Sequence, residues 1–567
     1  MLTRPFKQIT LILPEQDLLD NAESDDAFLA IRGAVYLNGQ QLTAQTALQH
    51  LQKHSDITDV LGQFSGHFWL IYQDKQHIWL ANDHMGLQPC YHTLQNNRLV
   101  VASKLNALKS LDNLSFTLSN QAIYQYFYFH CIPSPQTIYQ EVAKLEPGMG
   151  LCWQDGTQPS STLIYNPDFT QKLDNTATSQ QQCLDILQDA VAQQMDDSTG
   201  AFLSGGLDSS SVAGKLAAIN PQAKTFSIGF RAKGYDETEF ALITANHFNT
   251  DHQVLYLEPD QALEKFVEIA QYFDEPFGNS SAMAAYFCAK FAKEHGIHTL
   301  LAGDGGDEIF AGNERYAKQK IFEPYLRVPG FIRAINRGIF VKSPLATLPG
   351  FKKIASYIRQ AETRLPLRLQ THNFIYQIGA ENIFADNFLR TVDQDLPAQQ
   401  LKARYESCKS NDPTNAMLFL DWKFTLADND LVKVNTMCEM AGVNVAYPFL
   451  TREMVDFSCD VSANAKLPGQ KLRHFYRSAC RGFLADETLD KEKHGFGLPF
   501  GVWLHEHEGL KNLALESLQK FRKRNILNGE IIDKVLEAHT SVHASYYGVL
   551  IWIIVVLELW LQRHEGD

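Results

Sequence analysis

The chain has 567 residues, 45% of them hydrophobic and 20% charged, with a formal net charge of −14 at pH 7. This composition is typical of a globular protein, and the length exceeds what a single core organises, so we expect two or three domains. The negative charge argues against a nucleic-acid partner. The sequence starts without the pattern of a signal peptide, so we expect a cytoplasmic protein.

One apolar stretch resembles a membrane segment in composition. Tyr546–Leu561 is nearly all apolar, but it is shorter than the about 20 residues of a typical span and contains Glu558. We predict a buried helix here and no membrane partner. The nine cysteines are scattered and form no Cys-x-x-Cys pair, which argues against a zinc site or a disulfide framework. They are typical of small core residues in a reducing compartment.

The first 160 residues are predicted to be rich in strands. Short apolar runs such as Ala34–Leu37, His67–Tyr72 and Leu99–Ala102 are separated by glycine, Asn-Gly and polar turns. Residues 161–180 are polar and show little periodicity. We interpret them as a linker between a domain at 1–160 and a domain at 181–567.

The second domain begins with alternating helices and strands. We predict strands at Ala201–Leu203, Thr225–Phe230, Gln253–Leu257 and His298–Ala302, each preceded by a helix. Such alternation is typical of a parallel sheet, whose ligands bind at the carboxyl ends of the strands. Beyond Tyr316 the pattern is mainly helical.

The loop after the first of these strands reads LSGGLDSS and has the composition of a pyrophosphate cradle. Gly205 and Gly206 allow the backbone to approach phosphate oxygens, and the following helix offers free N–H groups. Asp208 could hold magnesium through oxygen. The candidate nucleotide-binding residues of this loop are Leu203, Ser204, Gly205, Gly206, Leu207, Asp208, Ser209 and Ser210. A serine-rich helix cap would explain the loop if it stood alone.

A second glycine-punctuated loop, GDGGDE, follows the strand at His298–Ala302. Asp304 and Asp307 lie three residues apart in it. Because both loops follow strands of one predicted sheet, Asp208 and Asp307 could together hold a magnesium ion that bridges nucleotide phosphates. A solvated acidic turn is the simpler alternative for this segment. A later basic stretch, KEKHGF, could bring a lysine to neutralise charge that develops on phosphate.

These stretches together resemble the asparagine synthetase superfamily. The resemblance rests on FLSGGLDSSSVAG, LLAGDGGDEIFAGNERY, VAYPFL and KEKHGFGLPFGVWL, and it covers nearly the whole chain. It implies a parallel-sheet adenylating domain of the PP-loop (HUP-like) type with a helical C-terminal part. It also implies ATP and Mg²⁺ as cofactors, with Asp208 and Asp307 as metal ligands. Leu203, Ile228 and Gly303 would line the adenosine pocket, and Lys493 and Asp304 would be catalytic.

The N-terminal segment GQFSGHFWLIYQDKQHIWLANDHMGLQPCYH resembles the class II glutaminase (Ntn) domain of the same family. This implies a β-sandwich with flanking helices, and hence an α/β protein of two domains. Functional glutaminases begin with a cysteine nucleophile, whereas position 2 here is Leu2 and the first cysteine is Cys90. We therefore expect an inactive, degenerate glutaminase domain and no glutamine hydrolysis.

The synthetase half also departs from the family pattern. Asn444 and Ala446 replace the usual acidic and basic residues before the PFL motif, and Thr451 replaces a following aspartate. The losses favour a substrate other than free aspartate, although structural drift would also explain them.

Three functions follow from this resemblance. The first is a ligase similar to lasso-peptide cyclases, which joins a peptide amine to an adenylated side-chain carboxylate. Its partners would be a precursor peptide or small carboxylate substrate, with a leader-peptide-binding protein and a protease. The second is an ammonia-dependent asparagine synthetase, which suits Asp304. The third is an inactive regulatory homologue, which the retained Ser204–Ser210 loop, Asp307 and Lys493 disfavour.

Overall fold

A computed structural model describes residues 2–6, 9–13, 19–343, 348–491, 497–541 and 544–566. The N-terminal part contains two β-sheets. Its strands are β1 Leu2–Phe6, β2 Ile9–Leu13, β3 Leu19–Glu23, β4 Phe28–Leu37, β5 Gln40–Leu42, β6 Ser65–Gln73, β7 Ile78–Asn82, β8 Tyr91–Gln95, β9 Arg98–Ala102, β10 Ala143–Lys144, β11 Met149–Trp153 and β12 Ser160–Leu163. Its helices are α1 Ala44–Gln52, α2 Ile57–Gln63, α3 Leu105–Leu108 and α4 Asn120–Phe129.

The two sheets pack face to face. Alternate side chains of each strand point to opposite faces of its sheet, so one set of side chains faces the other sheet. One sheet has the order β1-β2-β9-β8-β10, and the other has the order β12-β11-β7-β6-β4-β3, with β5 paired to β4. Ala30 of β4, Trp69 of β6 and Val101 of β9 lie in one buried cluster between the sheets. Leu29 and Leu70 point the other way and pack with α1 and α2. The predicted sandwich with flanking helices is therefore observed.

The second domain contains a five-stranded, wholly parallel sheet of order β15-β14-β13-β16-β17. Its strands are β13 Thr199–Phe202, β14 Lys224–Gly229, β15 Asp251–Tyr256, β16 Thr299–Leu301 and β17 Asn444–Ala446. The accompanying helices are α5 Ala177–Gln193, α6 Leu207–Ile219, α7 Thr238–Phe248, α8 Pro259–Tyr272, α9 Ala282–Glu294 and α10 Gly306–Phe310.

The remaining chain is helical apart from β17. Its α-helices are α11 Glu314–Lys320, α12 Glu323–Leu326, α13 Gly330–Asn336, α14 Pro349–Glu362, α15 Phe374–Ile378, α16 Ala380–Ile383, α17 Asp386–Leu389, α18 Leu396–Glu406, α19 Pro413–Asp421, α20 Leu431–Ala441, α21 Arg452–Asp460, α22 Ala463–Lys466, α23 His474–Ala479, α24 Asp486–Asp490, α25 Phe500–Glu506, α26 Glu508–Arg522, α27 Ile531–Ser541 and α28 Ala544–His564. Two π-helical segments, Arg337–Val341 and Trp422–Asp430, and two 3₁₀ turns, Leu367–Gln370 and Pro448–Leu450, complete it.

Three details differ from the sequence predictions. Two helices, α8 and α9, precede β16 where we predicted one. The fifth strand, β17, lies in the region predicted to be mainly helical, because it gains its hydrogen bonds only by pairing with the distant β16. The segment interpreted as a linker includes the end of strand β12 and the start of helix α5.

The apolar C-terminal helix α28 is a core element of this fold. Tyr546–His564 is long and apolar enough to cross a membrane by length and composition, yet 72% of its most apolar window is buried inside the protein. Glu558 is 1% exposed, and both of its carboxylate oxygens accept hydrogen bonds from Arg524, at 2.5 and 3.1 Å. The helix thus buries one charge, which a neighbouring guanidinium compensates.

Buried polar contacts join the two domains. The imidazole Nε2 of His84 lies 3.0 Å from the carbonyl oxygen of Leu450, and Asn435 donates from Nδ2 to the carbonyl of Leu87 at 3.0 Å. Both contacts come from the loop between β7 and β8. Asp83 shapes this loop because its carboxylate accepts hydrogen bonds from the backbone N–H groups of Met85 and Leu87.

Candidate active site

The Ser-Gly-Gly loop follows β13 directly and ends at helix α6. Gly205 has φ +68°, and a side chain there would come within 2.4 Å of the Phe240 backbone. Gly206 is the N-cap of α6 and provides no side-chain cap. The first N–H groups of a helix have no partner within the helix, so the loop presents donors for an anion at this end.

The serines of this loop face different sides. The Ser204 N–H donates to the Ser209 hydroxyl at 3.2 Å, and the two hydroxyl oxygens are 3.0 Å apart. Ser204 is exposed at the loop surface. The Ser210 hydroxyl instead lies in the core, 2.9 Å from that of Thr244. Ser204 and Ser209 are therefore better placed than Ser210 to serve a ligand at the loop.

The second loop follows the neighbouring strand β16 and contacts the first one closely. A side chain at Gly303 would lie 2.7 Å from the Ser209 nitrogen, and one at Gly306 would lie 2.4 Å from Asp208 Oδ1. Gly305 has φ +96° and packs against Leu450. Glycine is needed here because the two backbones approach too closely for a Cβ atom. The carboxyl ends of β13 and β16 thus bring the two predicted loops together.

Arg473 lies between the two aspartates that were predicted to hold metal. Its Nη2 is 3.0 Å from Asp208 Oδ2, and it also forms an ion pair with Asp307 Oδ1. All three side chains are largely buried. Arg473 has φ 51° and precedes helix α23, and its N–H donates to the Ala311 carbonyl at 3.2 Å. Sequence analysis missed this residue, because it lies far along the chain from both loops.

The carboxylates of Asp208 and Asp307 also suit a magnesium ion. Asp208 and Asp307 share a cation in this structure, which shows that their carboxylates converge on one point. Among the described residues, no group of three or more His, Cys, Asp or Glu side chains could hold a metal. Two carboxylates alone do not complete the octahedral coordination of Mg²⁺, so nucleotide phosphates and water would supply the other oxygens. Mg²⁺ bound there would neutralise charge on the phosphates.

Asp304 belongs to the same loop as Asp307 and lies in a partly buried, charged environment. Burial raises its pKa to about 6, while the ammonium of Lys433 acts in the opposite direction. Lys433 is itself paired with Asp430, with Nζ 2.8 Å from Oδ1. A carboxyl group that titrates near neutrality suits general acid–base catalysis. Asp304, Asp430 and Lys433 therefore form one cluster of charged groups that includes a residue of the second loop.

The predicted adenosine-pocket residues lie on or just after three neighbouring strands. Leu203 and Ile228 are buried at the ends of β13 and β14, and the Leu203 N–H donates to the Phe226 carbonyl at 2.9 Å. Gly303 follows β16 on the other side of β13. The three residues thus lie at the same end of the sheet as the two loops, and Leu207 is buried at the start of α6.

The predicted catalytic Lys493 lies outside the described residues. Its neighbour Lys491 is described, and its Nζ donates to the Ser204 carbonyl at 3.2 Å and to Glu237 Oε2 at 3.1 Å. The ammonium also lies 4.5 Å from the centre of the Phe240 ring. Lys491 therefore connects the start of the basic stretch to the Ser-Gly-Gly loop.

The family departures have structural roles in this chain. Asn444 and Ala446 are the ends of β17, which pairs with β16. Thr451 is the N-cap of α21, where its side chain accepts a hydrogen bond from the Met454 N–H. Threonine and aspartate both cap helices in this way, so the helix start is kept while a charge is lost.

The cysteines of the glutaminase-like domain lie in buried or partly buried surroundings. Cys90 and Cys131 are buried, and Cys152 is partly buried on β11. Burial raises the pKa of each of these thiols. Reactive cysteines instead have lowered pKa values in electropositive, accessible surroundings.

Two known family models match this chain. Residues 182–562 match the family model for asparagine synthase, and residues 27–164 match that for a glutamine amidotransferase domain. A glutamine-hydrolyzing asparagine synthetase 1 of Bacillus subtilis (strain 168) is 24% identical over 87% of this chain and 76% of its own length. A putative glutamine-hydrolyzing asparagine synthetase 2 of Methanocaldococcus jannaschii is 30% identical over 66% of this chain and 73% of its own.

A third relative carries a different name. An amidase of Gibberella zeae is 22% identical over 80% of this chain and 72% of its own length. The asparagine synthase match alone spans well over half of the chain, and the two loops of the site lie within it. The chain belongs to the asparagine synthase family and is an ATP-dependent, AMP-forming carbon–nitrogen ligase.

Proposed function

We propose that this ligase adenylates a side-chain carboxylate of a peptide and joins it to an amine of the same peptide, as lasso-peptide-type macrolactam cyclases do, without hydrolysing glutamine. The observation that carries the proposal is the state of the thiols in residues 19–164. Cys90, Cys131 and Cys152 all have raised pKa values, so none of them suits attack on glutamine. This supports an amine that comes from free ammonia or from the substrate rather than from glutamine.

The reaction has two steps. A carboxylate oxygen attacks the α-phosphorus of ATP, the bond to the β-phosphate breaks, and pyrophosphate leaves. The amine then attacks the acyl carbon of the adenylate, AMP leaves, and the amine gives up a proton. Asp304, with a pKa of about 6, is the group that takes this proton at neutral pH. ATP with Mg²⁺ would occupy the Ser-Gly-Gly loop and the two aspartates.

Loss of charge at three positions where the family usually carries it favours a peptide over free aspartate. Asn444, Ala446 and Thr451 carry no charge and take part in β17 and the α21 cap instead. A free amino acid has two further charged groups, and its binding site must neutralise them. A peptide residue has none on its backbone, so neutral side chains suffice.

An ammonia-dependent asparagine synthetase is the second candidate. The carboxyl group of Asp304 and its coupling to Lys433 are compatible with it, and relatives of this chain are named asparagine synthetases. A cytoplasmic location would suit both candidates.

ATP–pyrophosphate exchange distinguishes these functions. We expect exchange with peptides that contain an Asp or Glu side chain and have a free N-terminal amine. The mass of the product should be lower than that of the peptide by one water molecule. Aspartate with ammonium chloride should give no exchange. Addition of glutamine should not increase exchange or product formation, and Cys152→Ser should behave like the wild type. Exchange with aspartate and ammonia alone would overturn the proposal in favour of the asparagine synthetase.

A further inference from the structure

A cavity of about 380 Å³ lies next to the π-helical segment Trp422–Asp430, whose Trp422 donates from Nε1 to the carbonyl of Glu308 in the GDGGDE loop at 3.0 Å. Its walls come from the end of α4, from α11, from the π-helical segment Trp422–Asp430 and from α28. The volume is within the range of pockets that hold drug-sized ligands. It belongs to neither of the two predicted loops.

Aromatic rings form much of the cavity wall. Phe129 stacks on Phe424 with ring centres 5.1 Å apart, and Phe374 lies 4.7 Å from Tyr546 and 5.8 Å from the ring of His130. Burial lowers the pKa of His130 to about 4, so this ring is uncharged at neutral pH. Walls of this kind favour an aromatic side chain, which packs edge-to-face or offset against them.

The other side of the cavity is polar, and Arg315 and Asp421 face each other there as an ion pair. Arg315 donates from Nη2 to Thr425 Oγ1 at 2.8 Å and forms an ion pair with Asp421. Asn429 accepts a hydrogen bond from Asn279 at 2.7 Å. Because Arg315 and Asp421 compensate each other, this pair does not require a charged ligand. Hydroxyl and amide groups beside it can serve the neutral groups of a peptide backbone.

One continuous helical stretch connects the cavity to Asp304. It runs through α19, the π-helical segment and α20, from Pro413 to Ala441. Phe424, Thr425 and Asn429 of the π-helical segment line the cavity, whereas Asp430 at its end pairs with Lys433 next to Asp304. π-Helical turns are rare and occur often at functional sites, where they redirect side chains.

We propose that this cavity binds an aromatic side chain of the peptide whose carboxylate is adenylated, at a residue close in sequence to the reacting Asp or Glu. The inference rests on the proposed peptide ligase function and makes its substrate class more specific. The wall rings hold the aromatic group, and the polar side faces the adjoining peptide bonds.

Val549 offers a way to fill the cavity from its edge. It lines the cavity on α28 and is 38% exposed. Val267 on α8 is a matched control, since it is 37% exposed on a helix and does not line the cavity. We therefore compare Val549→Trp with Val267→Trp, and we include the smaller change Val549→Phe in case the first variant does not fold.

The first measurement is the ratio of kcat/KM in pyrophosphate exchange for two peptides that differ only in a Phe or a Gly beside the reacting Asp. The wild type and Val267→Trp should prefer the Phe peptide by about tenfold or more. Val549→Trp should reduce the ratio to about one. A ratio near one in the wild type, or an unchanged ratio in both Val549 variants, would overturn the cavity proposal and leave the peptide ligase function intact.

The second measurement does not depend on catalysis. Saturation-transfer NMR with N-acetyl-phenylalaninamide should show ring signals with the wild type and with Val267→Trp, and lose them with Val549→Trp. Absence of ring signals in the wild type overturns the cavity proposal even if no peptide is adenylated. Exchange with aspartate alone, by contrast, would overturn the proposed function.

Discussion

Arg473 forms ion pairs with both Asp208 and Asp307, although the two aspartates come from loops that follow different strands. The Asp208 pair has an N–O distance of 3.0 Å. Two carboxylates held this close repel each other unless a cation compensates them. The guanidinium therefore holds the two loops in place, and Mg²⁺ with ATP would share or replace this role.

We predict that Arg473→Met makes the stability of the protein depend on Mg²⁺. Removal of one partner from a buried ion pair costs about 3–5 kcal/mol, and a bound ion that needs both carboxylates restores part of it. The free energy of unfolding in urea, with and without Mg²⁺, measures this. The stabilisation by Mg²⁺ should be larger in Arg473→Met than in the wild type and absent in the double variant with Asp307→Asn. An equal Mg²⁺ effect in all three proteins would contradict it.

Neutralising either aspartate should abolish adenylation. Asp208→Asn and Asp307→Asn keep the side-chain shape but remove charge that a magnesium ion requires. We expect pyrophosphate exchange to fall by at least about 10³-fold in each. Asp189→Asn, an exposed position on α5, is the control and should retain full activity. Wild-type turnover in either loop variant would refute the metal assignment.

Asp304 should control the pH dependence of amide formation. Its pKa is raised to about 6, so it is protonated below that pH and cannot accept the proton of the amine. The rate should rise with pH up to about 6 and then level off. Asp304→Asn should remove this limb and lower kcat by about 10²–10⁴-fold. Lys433→Met should shift the limb to higher pH, because the lysine lowers the pKa of Asp304.

The two lysines of the basic stretch should differ in effect. Lys491 contacts the Ser204 carbonyl and Glu237, so Lys491→Ala should weaken ATP binding. Lys493 is predicted to stabilise charge in the transition state, so Lys493→Ala should lower kcat far more than the affinity for ATP. Equilibrium binding of ATP and single-turnover rates separate the two effects. Equal losses of binding and rate in Lys493→Ala would make it a phosphate anchor only.

Removing one partner of the buried ion pair Arg524–Glu558 should lower the free energy of unfolding much more than replacing both partners. Glu558→Gln leaves a buried guanidinium with a weaker partner, and we expect a loss of about 3 kcal/mol or more in the free energy of unfolding. The double change Arg524→Leu with Glu558→Leu should cost much less, because no uncompensated charge remains. Urea denaturation of the three proteins decides this. Equal losses in the single and double variants would contradict the role given to the pair.

The parts of the site that could be predicted are those whose structure depends on residues near one another in the sequence. Gly205 and Gly303 follow predicted strands, and the alternation of helices and strands indicates which ends of the sheet meet. β17 and Arg473 were not predicted, because their positions depend on contacts with residues far away in the sequence. Ser210 shows a second limit, since residues in one motif can face opposite sides of a helix.

Isotope transfer from the peptide to AMP shows whether a side-chain carboxylate of the peptide is adenylated. A peptide whose Asp or Glu carboxylate carries ¹⁸O is incubated with ATP and Mg²⁺, and AMP is analysed by mass spectrometry. We expect one ¹⁸O atom in AMP, none in pyrophosphate, and a cyclised peptide whose mass is lower by that of one water molecule. Unlabelled AMP from the peptide would rule out this function, as would a parallel reaction in which ¹⁸O-labelled aspartate with ammonia, but not the peptide, transfers its label to AMP.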